Sequence, residues 1–210
     1  MKRLKKIKPF KMNGQLRIIK QLKIIDEISL ATSVLSEDNV YLTKEFRTND
    51  PAFDFFIKKE ALYEKNTGYG VTYLIADVSD ENNIILVAYY TIATNSIPYR
   101  DIQIDDNEKV DEKTCGLSAI EIKMFAVNKY YQNSLYHGKL VSNIIMEYII
   151  NEINELSTTI IGTKTILLNS VKSAKKFYRR NNFHLMNKYM KPLYDACTFD
   201  SIPMYLRLHK

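Results

Sequence analysis

The sequence predicts an α/β domain built on a mixed β-sheet flanked by helices. Three observations lead there. Stretches rich in β-branched and aromatic residues recur at Val71 to Val78, Ile84 to Ala93 and Ala119 to Val127; a long amphipathic pattern follows the last of them; and short strand and helix patterns then alternate to the end. With 210 residues and 46% hydrophobic content, the chain has material for one domain with a real core.

Taken in order, Lys2, Arg3, Lys5, Lys6, Lys8 and Lys11 form a basic lead. Leu16, Ile19, Leu22, Ile25 and Ile28 then recur near helical spacing, so residues 1–38 read as a basic extension with a docked helix, and 39–210 as the main domain. Val40 to Phe46 is a short candidate strand, and Asn49, Asp50 and Pro51 announce the helix FDFFIKKEALYEK. Ser79 to Asn83 supplies turn residues between the strands at 71–78 and 84–93. Ile97 to Leu117 is polar and carries Pro98, Asp105, Asp106, Asn107 and Glu108, which reads as a long substrate-side loop. After the central strand Ala119 to Val127, the apolar stripe of Val141, Ile145, Ile149 and Ile153 marks a helix from Gly138 to Leu156. Thr165 to Leu168 reads as strand, Ser173 to Arg180 as helix, and Phe183 to Met186 and Pro203 to Leu208 as closing strands.

Composition narrows the function classes. Cys115 and Cys197 lie far apart, without the paired spacing of a metal site or a disulfide scaffold, which favours a reducing, cytoplasmic setting. MKRLKKIKPFKM has the charge of a secretory leader, but no apolar core follows it, and no apolar run approaches eighteen residues. Neither export nor a membrane span is expected. A net charge of +6 and a pI near 9.1 suit an anionic partner, either a nucleotide-bearing cofactor or RNA. His137, His184 and His209 have no zinc spacing, and no Gly-x-Ser-x-Gly elbow is present. Gly162 to Thr165, GTKT, lacks the Lys position and the upstream Gly of a phosphate loop.

The richest segment is FAVNKYYQNSLYHGKL, where a strand ending at Val127 enters a polar loop that leads into the amphipathic helix. The first turn of a helix has N–H groups without intrahelical partners and the positive end of the macrodipole, a suitable cradle for a pyrophosphate. Gly138 permits close backbone approach there; Lys139 either adds charge or lies on a solvated helix face.

This segment resembles motif A of the GNAT acetyltransferase superfamily, in which a strand ending in Ala-Val is followed by Tyr-Gln, a glycine-rich loop and a helix. Downstream, Ala174, Phe177, Tyr178 and Phe183 of SAKKFYRRNNF resemble the superfamily's Ala-x-x-Phe-Tyr-x-x-x-Gly-Phe signature. The departures are specific: Leu135 and His137 stand where the loop usually has glycines, Gly138 comes one residue late, and Asn182 replaces the Gly before Phe183. Asn reaches a left-handed conformation more readily than most residues, so that last change is tolerable.

The resemblance implies a GNAT-like central sheet and acetyl-CoA as co-substrate, with no metal. Phe125, Ala126 and Val127 would pair with the pantetheine arm, and Gln132, Asn133, Ser134, Leu135, Tyr136, His137, Gly138 and Lys139 would hold the pyrophosphate. It also implies two catalytic groups. Glu121 matches in register the glutamate base of the histone-acetyltransferase branch, and Tyr178 the tyrosine that protonates the leaving thiolate. Read as residues alone, Glu121 is equally a strand-face charge paired with Lys123, Tyr178 a core tyrosine, and Asn169 an ordinary turn former. The expected partners are an amine-bearing acceptor of unidentified class and an anionic partner such as tRNA, with room for a homodimer and no membrane. Two other readings stay open, a noncatalytic RNA-binding or regulatory module on the same fold and a tRNA-acetylating toxin.

Overall fold

In a computed structural model of the chain, residues 10–12, 17–19, 22–24, 28–80, 82–104, 110–187, 190 and 201–208 are described. The strands before the first helix are β1 (Phe10–Met12), β2 (Arg17–Ile19), β3 (Leu22–Ile24) and β4 (Ile28–Val34). The helical run α1 (Pro51–Phe55), a π-turn (Phe56–Glu60) and α2 (Ala61–Thr67) leads to β5 (Val71–Asp77), β6 (Ile85–Ile104) and β7 (Val110–Val127). Two short strands, β8 (Ser134–Tyr136) and β9 (Lys139–Leu140), precede α3 (Val141–Thr159); β10 (Thr165–Val171), α4 (Lys175–Arg180), β11 (His184–Leu185) and β12 (Ser201–Arg207) complete the order.

An eight-stranded mixed sheet runs β1-β4-β5-β6-β7-β10-β12-β11, and a four-stranded one β2-β3-β8-β9. In the large sheet β7 and β10 are parallel, whereas β4 with β5, β5 with β6 and β10 with β12 are antiparallel. A parallel pair needs a crossover, and α3 lies between those two strands in the chain. This is the mixed α/β architecture that the pattern of strands and helices predicts.

Contacts divide the chain into two compact units, Met1–Ile92 with Met124–Met146, and Ala93–Lys123 with Glu147–Lys210. In the first, Leu35, Phe46, Phe56, Ile57, Leu74, Leu86, Tyr89 and Ala126 form a closed apolar cluster. Tyr89 is fully buried, and its hydroxyl donates to the Phe53 carbonyl at 2.8 Å, so the ring can sit between Phe46 and Phe56 without an orphaned polar atom. In the second unit, Ile97, Ala119 and Leu167 make the cluster, with Leu117, Met186, Met190 and Tyr205 packed on it.

Three local expectations are corrected. Where a helix is expected from Leu16 to Ile28, the described residues form β2, β3 and the start of β4. Apolar residues every three positions fit short Ile-rich strands separated by turns as well as a helix, and strand pairing decides between them. Val40 to Phe46 is not a strand but a 3₁₀ turn at Val40–Thr43 followed by an irregular stretch. Asn39 causes this: its Oδ1 accepts from the Ser36 N–H at 2.8 Å and its Nδ2 donates to the Val34 carbonyl at 2.9 Å, folding the chain back after β4. In the polar stretch Ile97 to Leu117 the described residues are strand rather than loop, with β6 continuing to Ile104 and β7 beginning at Val110, while Asp105, Asp106, Asn107 and Glu108 lie outside the described residues. Its period-two pattern is visible in buried Ile97 between exposed Ser96 and half-buried Pro98. Among the described residues no helix is long and apolar enough to cross a membrane.

The start of α1 shows how the turn signal works. Asp50 is the N-cap, accepting from the Ala52 N–H at 3.0 Å, and Pro51 takes the first position, where no N–H is needed. Asp50→Ala is expected to cost about 1 kcal/mol of stability, read as a lower denaturant midpoint with an unchanged slope.

Candidate functional site

The loop after Val127 is built on Asn128. This residue is 2% exposed, and its backbone and side chain both work: its N–H donates to the Val87 carbonyl, Nδ2 to the Leu86 carbonyl, and Oδ1 accepts from the Tyr130 N–H. Its own carbonyl accepts from Tyr131 and Gln132. Tyr131 then reaches Asp77, donating its hydroxyl to Oδ2 at 3.2 Å, and burial with the neighbouring carboxylate pushes that phenol well above its ordinary range.

Gln132 is bound at both ends of its amide. Nε2 donates to the Val127 carbonyl at 2.8 Å, and Oε1 accepts from Asn49 Nδ2 at 2.6 Å. The N–H groups of Tyr130, Tyr131, Gln132 and Ser134 all find acceptors within the loop, and Ser134 is fully buried. Within the expected pyrophosphate loop, Gln132 to Lys139, the N–H groups of Gln132 and Ser134 are thus already bonded inside the protein. Between Gln132 and Lys139 the exposed residues are Asn133, His137, Gly138 and Lys139.

The helix is expected to start at Gly138, yet α3 starts at Val141. The reason is a tight hairpin: Leu135 pairs with Leu140 and Tyr136 with Lys139, leaving His137 and Gly138 as a two-residue turn with φ of 45° and 78°. Positive φ at both central residues is the mark of a type I′ turn, and glycine is the residue such a turn favours at its second position. A Cβ built on Gly138 would meet nothing within 4 Å, so the space beside the turn is open. The first turn of α3 contains no acidic side chain, so its positive end faces no protein carboxylate of its own. Phe125, Ala126 and Val127 occupy the end of β7, with Ala126 and Val127 buried and Phe125 half-buried. The N-terminal segment also reaches this loop, since β3 pairs in parallel with β8, Lys23 opposite Ser134 and Ile24 opposite Leu135.

In the other unit, Glu121 stands on β7 and is held by two asparagines. Asn95 Nδ2 donates to Oε2 at 2.8 Å and Asn169 Nδ2 to Oε1 at 3.4 Å. Sequence reasoning missed Asn95 and read Asn169 as a turn former; no local pattern marks either, because their partner is a side chain on another strand.

Tyr178 lies in α4, 8% exposed, against Phe177 and Phe183 with ring centroids 5.1 and 5.7 Å away. Burial pushes its phenol above the ordinary tyrosine range, so it stays protonated at neutral pH. The helix ends in a Schellman motif: the Phe183 N–H donates to the Tyr178 carbonyl and the Asn182 N–H to that of Arg179, with Asn182 at φ 66°. The left-handed Asn182 read from sequence is thus observed, and the Tyr178–Phe183 ring contact is the apolar clasp that accompanies such an ending. Among the described residues no three His, Cys, Asp or Glu side chains gather as a metal site would require.

No protein-family model matches the sequence, and no curated protein matches it. Solved structures do. The AtaTR structure bound with AcCoA superposes at a TM-score of 0.61 with 14% identity over 85% of this chain and 93% of that one. AtaT complexed with acetyl-methionyl-tRNAfMet gives 0.58 and 14% over 83% and 93%, and a Tyr-to-Phe mutant of KacT gives 0.60 and 12% over 85% and 94%. At such identities the likeness establishes the fold, which is the GNAT type that the two sequence signatures imply.

Two stability changes test these turns. Gly138→Val puts a β-branched residue at positive φ and is expected to cost at least about 1 kcal/mol, whereas Asn182→Gly removes side-chain strain at the α4 ending and should gain about 0.5 kcal/mol. Urea unfolding midpoints would move in opposite directions; movement in the same direction would refute the turn assignments.

Proposed function

We propose that the protein transfers an acetyl group from acetyl-CoA to a primary amine. The observation that carries this reading is the shared fold: AtaTR was solved with AcCoA bound, and AtaT with acetyl-methionyl-tRNAfMet. The residues here fit the co-substrate. Exposed Asn133, His137, Gly138 and Lys139 and the acid-free first turn of α3 would hold its phosphates, and the end of β7 at Phe125 to Val127 would pair with its pantetheine arm.

In this reading Glu121 receives the proton that the acceptor's ammonium loses, which leaves a neutral nitrogen to attack the acetyl carbonyl. The new C–N bond forms as the C–S bond breaks, Tyr178 gives its proton to the departing sulfur, and the nitrogen's second proton passes through solvent to the phenolate, which restores Tyr178. The Tyr178 phenol is protonated at neutral pH and so has a proton to give, although burial makes it a weaker acid than an exposed tyrosine; KacT was solved as a Tyr-to-Phe mutant.

For the acceptor we propose the amine of an aminoacyl-tRNA. Besides the AtaT complex, the chain's own charge supports it: residues 156–194 carry eight Lys or Arg and no Asp or Glu, and Lys172, Lys176, Arg179 and Arg180 are exposed among them. Such a one-signed stretch suits a phosphate backbone.

The decisive experiment is acetyl transfer from radiolabelled acetyl-CoA to a panel of aminoacyl-tRNAs, free amines and peptides. Label in the aminoacyl-tRNA fraction is expected; no transfer to any acceptor, with no thermal shift at saturating acetyl-CoA, would overturn the reading. Tyr178→Phe should lower kcat by roughly ten to a thousand fold with little change in acetyl-CoA affinity. Glu121→Gln should lose activity that partly returns as pH rises and the acceptor amine becomes neutral unaided. Near-normal turnover in both variants would remove these two roles.

A further inference from the structure

Glu121 shares its sheet face with an apolar floor and two amides. Strand alternation places Cys115, Leu117, Ala119, Glu121 and Lys123 on one side of β7, and Ala119 packs with Ile97 of β6 and Leu167 of β10. Two residues from Ile97 stands Asn95, and two from Leu167 stands Asn169, so the strand positions that make the floor also bring both amides to the carboxylate.

The two amides are not equivalent. Asn95 Oδ1 accepts from the Ser96 N–H at 2.6 Å, which commits the oxygen end of that amide and leaves only its NH₂ for Glu121. The orientation is thereby decided by the network. Asn95 is half-buried and its bond is 2.8 Å, within the range of a charge-assisted N–H···O⁻ bond; Asn169 is exposed and its bond is 3.4 Å, at the long limit.

We infer that Asn95 is a positioning residue that fixes the Glu121 carboxylate for a cationic amine, with Asn169 a weaker second donor on the opposite oxygen. This rests on the proposed acetyl transfer and deepens it. A carboxylate has about four lone-pair sites; the amides use one on each oxygen, and the remainder can accept from an ammonium and then take its proton. A freely rotating Glu would lose that alignment in most of its rotamers. By strand alternation and register, the other titratable groups on this face include Lys113, Cys115 and Lys123 on β7, Tyr99 and Asp101 on β6, Tyr205 and Arg207 on β12 and His184 on β11; β10 has none from Thr165 to Val171.

The test follows the carboxyl ¹³C resonance of Glu121 in the full chain, identified by its disappearance in Glu121→Gln. Asn95→Asp replaces a donor by a second carboxylate, and the pair must then share a proton, so the midpoint of Glu121 should rise by about one pH unit or more. Asn95→Ala should leave the chain folded while the Glu121 side-chain couplings average over several rotamers. An unmoved midpoint in Asn95→Asp, or, should that variant not fold, a single fixed Glu121 rotamer in Asn95→Ala, would overturn the inference. With an active acceptor from the panel above, Asn95→Ala should reduce kcat/KM by roughly tenfold in the wild-type background and by nothing further in Glu121→Gln. Equal losses in both backgrounds would mean that Asn95 serves the fold alone. If no acceptor is acetylated, the proposed function fails, while the resonance measurements still decide the Asn95–Glu121 link.

Discussion

The candidate cofactor loop depends on one buried polar residue. Asn128 interrupts the apolar run that ends β7, at a depth where an unpaired amide would cost several kilocalories per mole, yet its N–H, carbonyl, Nδ2 and Oδ1 all have partners. Two of those bonds fasten the loop's entry to β6 at Leu86 and Val87; the others bend residues 130–132 back over Asn128 itself. Every later position in the loop inherits that bend. Gln132, tied to Val127 and Asn49, locks it from the far side, and buried Ser134 brings the chain into β8.

That construction accounts for the missing glycines. A glycine-rich phosphate loop relies on backbone freedom to bring N–H groups to its ligand. Here the loop is instead stiffened by side-chain amides and closed by a hairpin whose only glycine, Gly138, sits where a type I′ turn needs it. Between Gln132 and Lys139 the residues left facing outward are Asn133 and, around that turn, His137, Gly138 and Lys139. Shape is set by a network of asparagine and glutamine side chains, and conformational entropy that glycines would retain has already been lost on folding.

Much of the fold was legible because its signals were local. The strands at 71–78 and 84–93 followed from β-branched and aromatic runs, the first helix from Asp50 and Pro51, and the α4 ending from Asn182 before Phe183. What was hidden depends on partners distant in sequence. The far halves of β6 and β7 are polar and look like loop, since each takes its strand geometry from pairing. The short strands β2 and β3 have apolar spacing that a helix shares, and β3 finds its mate in β8. At the candidate site Glu121 and Tyr178 were recognisable by motif, but Asn95, Asn128 and Asn169 were not. Asparagine forms turns so often that its use as a cross-strand amide leaves no trace in a single sequence.

The parallel pairing of β3 with β8 also bears on how the chain is made. About a hundred residues separate Lys23 from Ser134, so a ribosome releases β3 long before its partner exists. Contacts of such span are slow to form and carry a loop-closure cost that local hairpins avoid. The edge of β3 that β8 later covers thus spends much of synthesis unmatched, a state in which nascent strands invite wrong neighbours. The lysines and arginines threaded through residues 1–23 keep that early segment charged throughout this interval. Completion of the β2-β3-β8-β9 sheet must therefore wait for translation to pass the β8–β9 turn.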